Sequence, residues 1–294
     1  MPGTLFDLHT LPAMPAALLR AAFTRRKGHG TALPDMTLRA HGCRASPVLL
    51  ERYRAACGFD ADGFLPLTYP QVLATPLHLG LLGLPDFPYP VLGTVHVRNH
   101  IQQHHRIADT AALTVACHFD GHREVPAGHE FDLHTRVEAE ESGELLWQAV
   151  TTMLRRHGAR KDPDKDAPRK ERPPDDAQAA RFAASRPAPW AIPADTGRRY
   201  AHASGDYNPI HLTALTARPF GFPRAIAHGM WTLARCVAEL GEAAHADALQ
   251  VDCDFKKPLL LPARVTFQTA RESAGVAFRV LSEEGKPHLL GRLG

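Results

Sequence analysis

Apolar positions along this chain shift between helical and strand spacing, and the shift runs its full course twice. From Val48 onward, Leu49, Leu50, Tyr53, Ala56 and Cys57 fall at helical or mixed spacing. The run from Tyr69 to Leu82 is apolar nearly all round, which predicts a buried helix with Pro70 in its first turn and a kink candidate at Pro76. Four segments of strand character follow: Leu92 to Ile101, Ala111 to Phe119, Glu130 to Glu140 and Glu144 to Leu154. In the third, Phe131, Leu133, Thr135, Val137 and Ala139 alternate and share one face. Helical spacing returns at Trp231, Leu233, Ala234, Val237, Ala238 and Leu240, predicting a helix over Met230 to Gly241. Strands are then expected at Leu249 to Phe255, Arg264 to Arg271, Val276 to Ser282 and His288 to Leu293. A helix followed by an antiparallel meander thus occurs twice.

The seam between the repeats is compositional. Of the eighteen residues from 159 to 176, twelve are charged, four are proline and two are alanine. Six positive and six negative charges cancel, so the stretch reads as a solvated linker and not as a nucleic-acid arm. The expected units are therefore residues 1–158, a linker over 159–189, and residues 190–294. Ahead of the first repeat, Pro15 to Phe23 is expected to form a short helix and Pro34 to Pro47 an extended connector.

Each repeat carries Tyr and Gly at one spacing: Tyr53 with Gly58, and Tyr200 with Gly205. After the glycine the repeats part, for Phe59 stands where Asp206 stands. From Gly58 to Val72 is fourteen residues, whereas from Gly205 to Met230 is twenty-five. The second repeat has a loop of eleven residues that the first lacks.

That loop holds the candidate chemistry. In Ser204-Gly205-Asp206-Tyr207-Asn208-Pro209-Ile210-His211 a carboxylate and an imidazole sit five positions apart across an Asn-Pro turn, which holds the chain off helix. Such a turn can aim both side chains at one water molecule, held between a base and an acid. Downstream, His228-Gly229-Met230 places Gly229 at a helix start, where backbone N–H groups have no intrahelical partner and suit a developing oxyanion. Taken singly, each feature is also ordinary turn or cap punctuation.

Taken together, Ser-Gly-Asp-x-Asn-Pro-Ile-His followed by Ala227-His228-Gly229-Met230 resembles the signature of the R-specific enoyl-CoA hydratase, or MaoC-like dehydratase, family. The resemblance implies an α+β, double hot-dog fold, each half a long helix wrapped by an antiparallel sheet. It implies that Asp206 and His211 hold and split the water that adds to a 2-enoyl thioester. Gly229 N–H would receive the thioester oxygen, and Asn208 and Ser204 would brace the loop. The first half would be a scaffold without chemistry. The product would be an (R)-3-hydroxyacyl thioester of coenzyme A or of an acyl carrier protein, with no cofactor beyond the coenzyme A of the substrate. A homodimer is allowed for. A hot-dog acyl-CoA thioesterase and a non-catalytic acyl-thioester-binding subunit are the competing readings.

Composition changes little in this picture. A net charge of +3, spread along the chain, points to neither nucleic acid nor an anionic membrane surface. Five scattered cysteines without a Cys-x-x-Cys pair fit a reducing, cytoplasmic setting. No apolar run approaches membrane-spanning length, and the first residues lack the order of a secretory leader. Eight histidines lie between His96 and His134; His96 and His100 are expected to share a strand face, and no metal site is expected. Lys256 and Lys257 at a strand end, with Arg224 and Met230 beside the helix start, are candidates for contact with the substrate. The lysines read equally well as edge protection. Leu73, Leu77, Leu81 and Leu82 are ordinary core or, beside the missing loop, a wall for the acyl tail.

Overall fold

The computed structural model describes residues 3–11, 24, 32–91, 93–157 and 180–294. Within these, five α-helices accompany one sheet of eleven strands. The first half contributes β1 (Thr4–Leu8), β2 (Met36–Cys43), α1 (Pro47–Cys57), α2 (Pro70–Leu82), β3 (Thr94–Gln103), β4 (Leu113–Val125), β5 (Gly128–Ala139) and β6 (Leu145–Arg156). The second contributes β7 (Ala188–Ile192), α3 (Thr196–Ser204), the short α4 (Ala214–Ala217), α5 (Gly229–Glu239), β8 (Leu249–Phe255), β9 (Ala263–Glu272), β10 (Gly275–Ser282) and β11 (Pro287–Leu293).

The strand order is β1-β2-β4-β5-β6-β3-β8-β11-β10-β9-β7. Read outward from the centre, the halves are the same: β3, β6, β5, β4, β2 on one side and β8, β11, β10, β9, β7 on the other. They join where β3 pairs antiparallel with β8, from Arg98 opposite Asp254 to Gln103 opposite Leu249. An edge that a single hot-dog would leave open is thereby closed by its own sequel in the chain. This is the double hot-dog architecture expected from the sequence.

The helices repeat as well. α1 and α3 pack against each other, each ending on a left-handed glycine, Gly58 or Gly205, whose N–H bonds the carbonyl of Arg54 or Ala201. Buried Tyr53 and Tyr200 meet between them with ring centres 5.8 Å apart. The Trp231 indole N–H donates to Ala56 O at 2.8 Å, tying α5 to the end of α1. α2 and α5 are the central helices, and α2 carries Pro76 in its interior. Leu77 and Leu81 of α2 are fully buried in a core continuous with that of the second half.

Three expectations need correction. The connector over Pro34 to Pro47 is mostly strand: β2 pairs with β4 through Thr37 to Cys43, burying Leu38, Ala40 and Cys43. Half-buried, polar Arg39 and His41 on the other face, and Gly42 at φ 60° in a bulge, mask its alternation. Nor do His96 and His100 share a face. The register of β3 against β6 shifts between His96 and Arg98, so the extra Val97 turns His96 to the helix side while His100 stays outside. Finally, from helix cap to helix start is twelve residues in the first half and twenty-four in the second, so the extra loop is twelve long. The short helix expected at Pro15 to Phe23 and most of the linker lie outside the described residues.

Candidate active site

The extra loop folds as a series of short turns. Gly205 ends α3 in the left-handed region at φ 77°, and the chain then wraps Asp206 in local hydrogen bonds. Asp206 N–H donates to Ser204 Oγ at 3.2 Å, and Asn208 N–H donates to Asp206 Oδ1 at 3.1 Å. Asn208 Oδ1 in turn caps the 3-10 turn Pro209–His211 through Ile210 N–H. Ser204 Oγ donates to Tyr200 O at 2.9 Å. Ser204 and Asn208 thus hold the backbone on which Asp206 and His211 sit.

His211 is buried, 8 % exposed, whereas the Asp206 side chain is 40 % exposed. His211 Nδ1–H donates to Ile226 O at 2.8 Å, which leaves Nε2 with its lone pair. Burial first, then neighbouring His228, lowers the His211 pKa to about 3, while Asp206 pulls the other way. The ring is therefore neutral across the physiological range. Close backbone approach sets its position: a Cβ on Gly197 of α3 would come within 2.0 Å of His211 O.

His228 completes the cluster. Its ring lies on that of His211, centres 3.6 Å apart, and its Nε2–H donates to Asp206 O at 3.0 Å. Asp206 Oδ2 is 3.8 Å from the same nitrogen. His228 Nδ1 is buried without a hydrogen-bond partner. Burial lowers this imidazole's pKa too, against the pull of Asp206. Donor atoms of Asp206, His211 and His228 all lie within 4.8 Å of one another, close enough for a metal ion. Yet one nitrogen of each imidazole is committed to a backbone carbonyl, and the stacked rings do not splay around a common centre. The arrangement suits a water molecule between a carboxylate and a lone pair better.

Immediately after His228, α5 begins. Its first backbone bond runs from Thr232 N–H to His228 O at 3.1 Å, so the N–H of Gly229 lies ahead of the helical ladder at the positive end of the dipole. A Cβ at Gly229 would stand 3.1 Å from the Phe255 ring. Phe255, from the end of β8, meets His96 edge-on with centres 4.7 Å apart. Burial lowers the His96 pKa to about 4, with Asp206 near enough to pull it back up. His96 reaches the site from the scaffold half by way of the β3 bulge.

Behind His96 the interior is polar. Asn99 Nδ2 reaches His96 Nε2 and Thr151 Oγ1, both at 3.2 Å, and Gln71 Nε2 donates to the same Thr151 at 3.1 Å. His78 Nε2 lies 2.8 Å from Thr135 Oγ1. Leu73, Leu77, Leu81 and Leu82 belong to the hydrophobic core.

The substrate-contact candidates separate. Lys256 Nζ lies 3.3 Å from Asp254 at the strand end. Lys257, Arg224, Arg264 and Lys286 line a groove of about 880 Å³ together with Glu283 and Glu284, and Lys286 is paired with Glu284. Met230 is half-buried against the core. Arg224 is joined to the site by an extended run, since Ala227 N–H donates to Leu259 O and Leu261 N–H to Ala225 O, both at 2.8 Å. Three residues beyond the expected ones stand at the site: His228, Phe255 and His96. For His228 the signal was present in Ala-His-Gly-Met; for the other two it lay only in strand register.

Comparison with known proteins identifies the family. Residues 165–288 match the MaoC like domain family. The chain is 34 % identical over 263 residues to 3-hydroxyacyl-thioester dehydratase X of Mycobacterium tuberculosis (strain ATCC 25618 / H37Rv), covering 87 % of this chain and 88 % of the relative. It is 30 % identical over 173 residues to the peroxisomal enoyl-CoA hydratase 2 of Arabidopsis thaliana, covering 55 % of this chain and 56 % of that one. The crystal structure of HtdX of Mycobacterium tuberculosis superposes with a TM-score of 0.73 at 32 % identity, over 87 % of this chain and 98 % of the other. The chain belongs to the MaoC-like dehydratase family.

Proposed function

We propose that the protein is a hydro-lyase that interconverts trans-2-enoyl and (R)-3-hydroxyacyl thioesters, with one active site per chain, in the second half. One observation carries the assignment of roles: His211 Nδ1–H is held by Ile226 O, so that a neutral imidazole presents the Nε2 lone pair beside the Asp206 carboxylate. A water molecule can then donate one hydrogen to each. As its oxygen bonds to the β-carbon of the enoyl group, one of the two residues takes its proton, and a proton is delivered to the α-carbon. Negative charge developing on the thioester oxygen is met by Gly229 N–H. One such donor is typically worth about 3 kcal/mol in the transition state. A low pKa at His211 means that no proton rests on the ring between turnovers.

The groove at Arg224 and Lys257 suits the phosphates of coenzyme A or of a phosphopantetheine arm. From Arg224 to Gly229 an extended chain spans at most roughly 17 Å, the length scale of a pantetheine arm. The acyl tail would run past Phe255 and His96 toward the scaffold half, where the buried polar side chains of Asn99, Gln71 and Thr151 would favour short or oxygen-bearing tails over long alkyl ones. No cofactor is needed beyond the coenzyme A of the substrate. Among the described residues no helix is long and apolar enough to cross a membrane. All five cysteines are buried free thiols, which suits a reducing compartment, and the cytoplasm is the proposed location.

Crotonyl-CoA tests the reaction class. A hydratase removes the enoyl-thioester absorbance without releasing thiol. Thiol release would mean a thioesterase, and binding without either change would mean a non-catalytic subunit.

A further inference from the structure

The outer face of the sheet carries a row of imidazoles that the proposed reaction does not use. One register line crosses five strands: His118 of β4 pairs with His134 of β5, His134 with Val150 of β6, Val150 with His100 of β3, and His100 with Asp252 of β8. Their neighbours along each strand, among them Cys117, Leu133, Ala149, Ile101 and Val251, are buried, so by strand alternation the row lies on the face away from the helices. His100 is occupied by Asp252, Nδ1 to Oδ1 at 2.6 Å. The other end of the row is different. Asp120 stands two residues beyond His118 on the same face, diagonal to His134, and one donor atom from each of the three lies within 4.8 Å of the others. Asp120 Oδ2 is 3.9 Å from His134 Nε2. The bulge at Gly121 that follows, with φ at 76°, shifts the register of the β4–β5 ladder just after Asp120.

A second observation falls at the same place. A hollow of about 260 Å³ is lined by His100, His118, His134, Arg136, Gln148 and Val150, where the small side chain of Val150 interrupts the row. The two imidazoles stand side by side with ring centres 5.3 Å apart, wider than the 3.6 Å of His211 and His228, and both border this open space.

We propose that His118, Asp120 and His134 form a binding site for a divalent transition-metal ion, separate from the active site. Two imidazoles and one carboxylate make the mixed nitrogen and oxygen set that Zn²⁺, Ni²⁺ and Cu²⁺ prefer over Mg²⁺ or Ca²⁺. Three protein donors would leave a fourth position for water or an outside ligand. The ligands come from two strands and are spaced 118, 120 and 134, which is why no compact sequence motif announces them. A bound ion would clip β4 to β5 in the scaffold half.

The test is a Zn²⁺ titration of the full, untagged chain after chelator treatment, followed by calorimetry and by thermal melting. One ion per chain should bind and raise the melting temperature. His118→Ala and His134→Ala should each weaken binding by about a hundredfold or more, and Asp120→Asn by about tenfold. Co²⁺ substituted at the site should give the visible absorption of a low-coordinate ion with nitrogen donors, lost in His134→Ala. Asp206→Asn should leave Zn²⁺ affinity unchanged, and His134→Ala should leave crotonyl-CoA turnover unchanged. Zn²⁺ binding that is absent, that survives the His118→Ala, His134→Ala double variant, or that disappears only with Asp206→Asn would overturn the proposal.

Discussion

The ring of His211 lies on the ring of His228 with centres 3.6 Å apart and planes 26° from parallel. Two imidazoles at this distance cannot both carry charge, and burial disfavours charge on either. Each instead spends one N–H on a backbone carbonyl, His211 on Ile226 and His228 on Asp206. The pair is a rigid neutral wall that fixes where the His211 lone pair and the Asp206 carboxylate meet.

If Asp206 and His211 share one water, removing either should cost almost as much as removing both, because they act as a unit. Asp206→Asn and His211→Ala are each expected to lower kcat on crotonyl-CoA by about 10³-fold or more, with circular dichroism unchanged. A folded variant that kept a tenth of wild-type turnover would remove that residue from the mechanism.

Gly229→Pro isolates the oxyanion donor. His228 already has φ −64° and ψ 138°, the extended conformation that a residue before proline requires, and the first helical position tolerates proline. The helix should persist while the N–H is lost, and kcat should fall by about 10²–10³-fold. Gly229→Ala keeps the N–H but sets a methyl against Phe255, so it serves as the control for crowding. Equal losses in the two variants would show that space, not the donor, is what the glycine supplies.

Gly197 touches no substrate in this account, yet its position is exacting. Alanine there would drive a Cβ to 2.0 Å from His211 O, so the loop must move. A displacement of about 1 Å at a reacting group can cost about 10²-fold in rate. Gly197→Ala is expected to lose activity on that scale in steady-state assays, while retaining a cooperative melt. Full activity in a folded protein would mean that the loop adapts and the Asp206–His211 spacing is not critical.

Buried neutral histidines also set the acid limit of stability. Burial lowers the pKa of His78 to about 3, of His96 to about 4 and of His211 to about 3. In the unfolded chain each protonates near its ordinary value of 6.5. Below that pH the unfolded state binds more protons than the folded one, so stability is complete above it and falls as pH drops toward the folded values. Each histidine contributes at most about 1.4 kcal/mol per pH unit. Melting temperature should decline from neutral pH to about 5, and less steeply in His78→Gln. A flat profile would mean that these rings are hydrated and charged.

What could be read in advance followed from local periodicity. The helix at Tyr69 to Leu82 and the strand at Leu249 to Phe255 match the observed α2 and β8, because their apolar pattern is decided within one element. Tyr53-to-Gly58 and Tyr200-to-Gly205 exposed the repeat because each glycine must adopt a left-handed cap. Features that depend on two elements at once were not legible. His96 reaches the site only through a bulge at Val97, and Phe255 only because β8 ends under Gly229. His228 sat in plain view beside Gly229, but its stacking on His211 requires the loop and the helix start to fold together. β2 was hidden because its outward residues, Arg39 and His41, outweigh Leu38 and Ala40 in a short window.

The most direct test of the central claim is chiral analysis of the product that wild-type enzyme forms from crotonyl-CoA. Asp206 and His211 would hold the water on one loop beside the start of α5, so that it reaches a single face of the substrate. One-sided delivery predicts a single enantiomer, and the likeness to the R-specific family makes (R)-3-hydroxybutyryl-CoA the expected one. Mainly the S form, a racemate, or no hydrated product at all would contradict it.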